Sequence, residues 1–313
     1  MKHDRALAYV AFGIVCLAWG TTYLAIRVAI ETIPPLLMTG IRYTSAGLIL
    51  LVVALARGEK IPRDRRTLGN LALVGVLMAG IGNLSVVIAE QWVPSGIAAL
   101  FVATAPFWAN VLEWMRGNAQ RIDRRTVIGM LVGFFGVAIL VMPGAVGGRY
   151  DFYFLLGALS IQIGSIGWQY GTLRSKYFIT NVPLITASAI EMLIGGIVLD
   201  VVGLAIGEGP RLHFTPKTFA ALAYLAIVGS VITFSAYIYA VAHISTTKMA
   251  LYSYVNPAVA VVLGWLVLHE QLTPVSITAM LVILCGVALV QSSGMKRRTL
   301  PTSPGIKVQK SAA

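Results

Sequence analysis

Two charged residues, Arg42 and Glu191, stand inside long apolar runs and lie 149 positions apart. A charge near the middle of a bilayer is costly and ordinarily faces a partner or a wet cavity. Arg42 and Glu191 meet that cost in one of two ways. They form a structural ion pair, or they grip a zwitterion, the guanidinium holding a carboxylate and the Glu191 carboxylate holding an ammonium. A third carboxylate, Glu90, stands just before QWVPSG at the end of another apolar run. It pairs with Arg27 as a gate, or it gains and loses a proton as its surroundings dry and wet.

Two prolines occupy matching places. ALFVATAPFWANVLEW (99–114) and ALYSYVNPAVAVVLGW (250–265) carry Pro106 and Pro257 in mid-run, 151 residues apart. Each proline falls 11 residues past a run's start, at Ser95 and at Thr246, so about 16 Å along a helix. Half of a ~30 Å hydrocarbon core is ~15 Å. A mid-helix proline lacks its N–H and pushes away the carbonyl four residues earlier, here those of Val102 and Ser253. The expectation is a pair of broken helices at mid-depth, with Pro106, Ser253, Asn256 and Pro257 lining a cavity; the alternative is a pair of packing kinks.

Polar stripes run beside these breaks. Cys16, Gly20, Tyr23 and Arg27 share one helical face, and Ser165, Gln169, Thr172 and Lys176 share the corresponding face later in the chain. Trp19 and Trp168, again 149 apart, Asn83, Tyr237 and Tyr252 lie at similar depths. The substrate-facing set is thus Trp19, Tyr23, Arg42, Asn83, Pro106, Trp168, Gln169, Glu191, Tyr237, Tyr252, Ser253, Asn256 and Pro257, with Glu90 and Arg27 for gating or proton coupling. No catalytic set converges: there is no H-E-x-x-H, no pair of intramembrane aspartates and no G-x-x-x-x-G-K-[ST]. Cys16 and Cys285 lie far from any C-x-x-C spacing. Neither metal nor cofactor is expected, and an intramembrane enzyme is the disfavoured alternative.

The elements that hold these residues follow from composition. Of 313 residues 58% are hydrophobic and 12% charged, and the mean hydropathy is +0.82. Soluble domains carry about 25% charged residues. The chain divides into ten apolar runs of about bilayer-spanning length: 7–29, 34–56, 68–90, 95–115, 126–143, 152–173, 183–205, 217–241, 246–268 and 274–292. They do not alternate apolar with polar as barrel strands do, so an all-α polytopic membrane protein of ten transmembrane helices is predicted. The net charge of +12 does not signal nucleic acid. Of 24 Lys and Arg, 19 fall at the ends and in alternate connections; Arg149, Arg211 and Lys217 occupy the others, and Arg27 and Arg42 lie within runs. The positive-inside rule then puts both termini in the cytoplasm.

The runs also repeat. Trp19 matches Trp168, Pro34 matches Pro183 and Gly47 matches Gly196 at 149; MLVGFFGVAILV matches MLVILCGVALVQ at 150. Five spans per copy set the second copy upside down, and inverted repeats are a transporter signature. The expected units are a first five-helix repeat at 7–143, a second at 152–292, and a disordered cytoplasmic tail at 293–313. Gly129 with Gly133, and Gly203 with Gly207, fit G-x-x-x-G and predict close packing within the chain, or a homodimer through the fifth helix.

The runs WGTTYLAIRVAIETIPPLLMTGIRYTSAGLILL, AEQWVPSGIAALFVATAP and YVNPAVAVVLGWLVLHEQLTP, within residues 8 to 292, resemble the EamA-type permeases of the drug/metabolite transporter superfamily. One departure stands out: the first copy ends EWMRGNAQRID, without the glutamate that Glu270 supplies in the second. The resemblance implies a ten-helix exporter of metabolites in a bacterial inner membrane, for amino acids or for drug-like compounds. A multidrug exporter that recognises cations through Glu191 and aromatic faces is the alternative.

Overall fold

A computed structural model describes residues 2–116, 124–146, 152–178, 182–243 and 252–297. Among these, every extended regular element is a helix. They are α1 (Lys2–Ala29), α2 (Pro35–Ala56), α3 (Arg65–Gly75), α4 (Leu84–Ala89), α5 (Ser95–Val102), α6 (Ala105–Met115) and α7 (Arg124–Val146). Then come α8 (Phe152–Phe178), α9 (Leu184–Ala205), α10 (Pro216–Ala226), α11 (Thr233–His243), α12 (Tyr252–Leu268) and α13 (Pro274–Arg297). A π-helical stretch, Val76–Asn83, joins α3 to α4, and another, Ile227–Ile232, joins α10 to α11. Among the described residues, six continuous stretches are long and apolar enough to cross a membrane: Ala6–Ala29, Pro35–Ala56, Arg65–Ala89, Ser95–Met115, Leu184–Ala205 and Pro216–Tyr237. Leu17, Val52, Leu131, Phe135, Val201 and Leu281 stand mostly bare on the outside. So much exposed apolar surface fits lipid, not water, as the solvent.

Prolines start several helices. Pro34, Pro94 and Pro183 take extended ψ values of 146°, 144° and 140° just before α2, α5 and α9. Glycines end two of them. Gly58 and Gly207, 149 residues apart, sit at φ +70° and +82°, the left-handed conformation that glycine adopts freely. The next residue closes the helix, Glu59 N–H donating to the Ala54 carbonyl (3.0 Å) and Glu208 N–H to that of Gly203 (2.9 Å). Gly207 is therefore a helix stop and not half of a packing motif, which corrects the expected Gly203–Gly207 pair.

The long seam of the molecule runs between α2 and α9, and its contacts are reciprocal. A side chain on Gly47 would strike the Leu193 backbone; one on Gly196 would strike the Thr44 backbone. Glu59 accepts from Thr186 N–H (3.2 Å) and hydroxyl (2.7 Å) at the start of α9, and Glu208 accepts from Leu37 N–H (2.9 Å) at the start of α2. Adding 149 to Glu59 and subtracting it from Thr186 gives Glu208 and Leu37. A second seam joins α7 to α13, where Gly129, Gly133 and Gly136 admit Gly286 and Ile283, and Gly133 also admits the Phe107 ring. The helix-five glycine stripe is thus occupied within the chain. α13 continues to Arg297, past the expected end of the second repeat at 292; the rest of the expected tail lies outside the described residues.

The two prolines behave differently. Pro106 follows a true break: α5 ends at Val102, and α6 restarts at Ala105 with Thr104 as its cap. Pro257 lies inside the unbroken helix α12, against the expectation of two matching breaks. The side chains at the two sites account for this. Thr104 Oγ1 donates to the Phe101 carbonyl at 2.7 Å, and Gln162 Nε2 reaches the same oxygen at 3.4 Å, so the opened turn has partners. At an offset of 151, Thr104 becomes Val255, which has no donor to hold a turn open.

Candidate functional site

The helices enclose a cavity of about 650 Å³. Eleven of the thirteen residues expected to face a substrate line it: Trp19, Tyr23, Arg42, Asn83, Pro106, Trp168, Gln169, Glu191, Tyr252, Asn256 and Pro257. α1, α2, α6, α8, α9 and α12 contribute to its wall, as do both π-helical stretches. π turns inside α-helices recur at functional sites, and here they hold the arginine. Arg42 Nε donates to Ser230 Oγ of the second stretch at 3.1 Å, and one terminal nitrogen donates to Asn83 Oδ1 of the first at 3.4 Å. The other terminal nitrogen has no hydrogen-bond partner among the described residues. The guanidinium also lies 5.1 Å from the Tyr43 ring centroid.

Glu191 enters from α9. Its Oε1 accepts from Ser175 Oγ at 3.3 Å, and its backbone rests against Gly75. Among the described residues no ion pair joins Arg42 to Glu191. The ion-pair alternative is therefore not the arrangement found; the arginine and the glutamate line the cavity separately.

The aromatic wall is built in two layers. Trp19 lies 5.2 Å from Tyr252, edge to face, and 5.5 Å from Tyr237. Tyr237 stands behind these two and off the cavity wall, which corrects its assignment as a lining residue. On the facing side Trp168 presses on Gly82. Asn256, oriented with its amide nitrogen toward the carbonyls, donates to Tyr252 O (3.0 Å) and Cys16 O (2.9 Å), tying α12 to α1. Cys16 is buried beside this contact and not on the wall. The side chain of Ser253 lies outside the described residues, as does that of Lys176.

Of the two readings of Glu90, the pairing with Arg27 is not the arrangement found. No ion pair joins them among the described residues, and neither carboxylate oxygen of Glu90 has a hydrogen-bond partner. Glu31, four residues after Arg27, pairs with Lys217 at 2.7 Å. Glu270, the glutamate that the first copy lacks, accepts from Ser95 N–H (2.7 Å), Ser95 Oγ (2.8 Å) and Gly96 N–H (3.1 Å) and so caps α5. The lining residues that went unnoticed in the sequence include Thr22, Tyr43, Asn110, Ser188 and Ser230.

The two ends of the cavity are unequal. Toward α5 it is closed by packing: Ile26, Ala29, Ile33, Met38, Val87, Leu222 and Leu225 form one buried cluster, and Ala98 to Phe101 are at most 1% exposed. Toward α6 the lining residues Ala105, Pro106, Ala109 and Asn110 all keep partial exposure.

Comparison with known proteins agrees with this architecture. The model of the EamA-like transporter family matches twice, at residues 6–142 and 155–292. The uncharacterised inner membrane transporter YedA of Escherichia coli (strain K12) is 38% identical over 273 residues, covering 87% of this chain and 86% of its own length. The uncharacterised transporter YoaV of Bacillus subtilis (strain 168) is 26% identical, covering 87% and 92%. A crystal structure 20% identical to this chain superposes with a TM-score of 0.66, covering 93% of this chain and 98% of that one; likeness at that identity speaks to the fold alone. A family model that fits both halves, and a relative this similar along most of the length, decide the matter: the chain belongs to the EamA-like transporter family and is a multi-pass membrane transporter.

Proposed function

We propose that this transporter exports small zwitterionic metabolites, amino acids foremost, across the bacterial inner membrane by alternating access. The observation that carries the reading is the separate placement of Arg42 and Glu191 on one cavity, with a guanidinium nitrogen still unengaged. A bidentate carboxylate suits a guanidinium, and Glu191 offers the counter-charge for an ammonium. Ten spans arranged as two inverted five-helix repeats, 7–143 and 152–292, with both termini cytoplasmic, provide the moving parts. The reciprocal α2–α9 contacts, the paired π-helical stretches and the double family match all favour that arrangement. With that topology the packed end faces outward and the accessible end faces the cytoplasm, the posture in which an exporter loads.

The Trp19–Tyr252 faces favour a second reading, in which cationic compounds bind against aromatic rings with Glu191 as counter-ion. Uptake of a panel of labelled amino acids into inverted vesicles, with a cationic dye as competitor, separates the two. The zwitterion reading expects saturable amino-acid flux that other amino acids suppress and the dye does not. Dye transport without amino-acid flux overturns it.

A further inference from the structure

A septum of buried residues separates the central cavity from a second, vestibular cavity of about 460 Å³ at the packed end. Along α1, Tyr23 and Ile26 line the first cavity and Arg27 the second; along α4 and the residues after it, Val86 lines the first and Gln91 the second. Glu90 stands between them. Its side chain is fully buried, and among the described residues neither carboxylate oxygen has a hydrogen-bond partner. The charged and titratable groups that face it are Tyr23 and Arg27 from α1, Arg42 from α2, and Glu270 from the connection between α12 and α13. On α8, Gly157 lies against Ala89 and Val93, Tyr153 stacks on Trp92, and the Ser160 hydroxyl donates to the Ser85 carbonyl.

A structural role accounts poorly for this carboxyl. The other buried or half-buried acids each have work: Glu59, Glu208 and Glu270 cap helix starts, Glu191 accepts from Ser175, and Asp200 accepts from Thr44 at 2.7 Å. Burying an ionised carboxylate without a donor or water costs several kcal/mol or more, whereas the neutral acid costs far less. The side chain thus holds a proton while the septum is dry and can exchange it only with the cavity whose water reaches it.

We propose that Glu90 is the proton carrier of this transporter, protonated from the vestibule and deprotonated into the central cavity once per cycle. The idea rests on the alternating-access reading above, since the septum must open to each side in turn. The balance is one proton inward per solute molecule outward. A zwitterion carries no net charge, so each cycle moves one positive charge inward, and both the pH gradient and an inside-negative potential drive export. Release into the cavity beside Arg42 and Glu191 lets solute and proton affect one another without sharing atoms.

Two measurements on the full-length protein in proteoliposomes test this. The first needs no solute: dicyclohexylcarbodiimide, which attacks protonated carboxyls in apolar surroundings, is applied across a pH series and Glu90 is followed by peptide mass spectrometry. Labelling of Glu90 that declines as pH rises supports the proposal. Labelling that is absent at every pH, while the detergent-denatured chain labels, overturns it. The second drives labelled amino acids with an imposed pH gradient or a potassium diffusion potential. At one-for-one exchange one pH unit sustains at most about tenfold accumulation. Accumulation is expected in wild type, retained in Glu90→Asp and lost in Glu90→Gln, whose amide keeps the shape. A Glu90→Gln protein that still accumulates solute down the proton gradient overturns the proposal. If wild type moves no amino acid, the substrate reading fails while the carbodiimide result still decides Glu90.

Discussion

Arg42 spends two nitrogens on Asn83 and Ser230 and keeps a third unengaged, so it is already aimed before any solute arrives. A charge-assisted hydrogen bond contributes about 1.5–3 kcal/mol, equivalent to roughly 10–150-fold in affinity. Arg42→Lys keeps the charge and loses the planar fork. It should weaken amino-acid binding by that factor, and Glu191→Gln by a similar one, as read by equilibrium dialysis of the purified protein. Unchanged affinity in both variants overturns the two-ended grip. Residues such as Arg42, Asn83 and Glu191 were legible in the sequence because a charge or amide in an apolar run always demands a reason. Thr22 and Ser188 were not. Their hydroxyls donate to the carbonyls of Trp19 (2.6 Å) and Leu184 (2.8 Å), and that local bonding makes Ser and Thr inconspicuous in any helix. Glu90 was visible as a buried acid, but its lack of any donor is a property of the folded molecule alone.

Helices in lipid are held together by close approach more than by aversion to water, and the α2–α9 seam shows how little room that leaves. Gly196→Val would drive two methyl groups into the Thr44 backbone. Overpacking of this kind costs about 1–3 kcal/mol, so a lower melting temperature in detergent is expected, with Gly47→Val matching it through the Leu193 backbone. A melting temperature equal to wild type in both would mean that the seam is looser than described. The spans that follow Pro34, Pro94 and Pro183 could be read before the fold was known, because apolar length and the prolines fix them. The π-helical stretches could not: a π turn leaves little compositional mark, and only Gly80, Gly82 and Gly229 hint at it. The contrast between Pro106 and Pro257 was equally hidden, since proline removes the same N–H at both sites and the outcome turns on Thr104 having a hydroxyl where Val255 has none.

At the scale of the whole molecule, the decisive feature is a cavity closed by packing at one end and accessible at the other. A membrane-impermeant thiol reagent should modify an Asn110→Cys protein from the cytoplasmic face only, whereas Val93→Cys, at a site with no exposure, should resist from both faces. Modification of Asn110→Cys from the external face alone would reverse the assigned sidedness. That sidedness came from the distribution of Lys and Arg, which the fold itself does not display, while the inequality of the two ends was written nowhere in the sequence. The crossed carboxylates of the long seam carry one last implication, for biosynthesis. When the ribosome has delivered the second span, its leading amides still await Glu208, 171 residues downstream of Leu37. Insertion can proceed span by span, but neither half is finished alone: the first turn of α2 stays uncapped until the second half arrives.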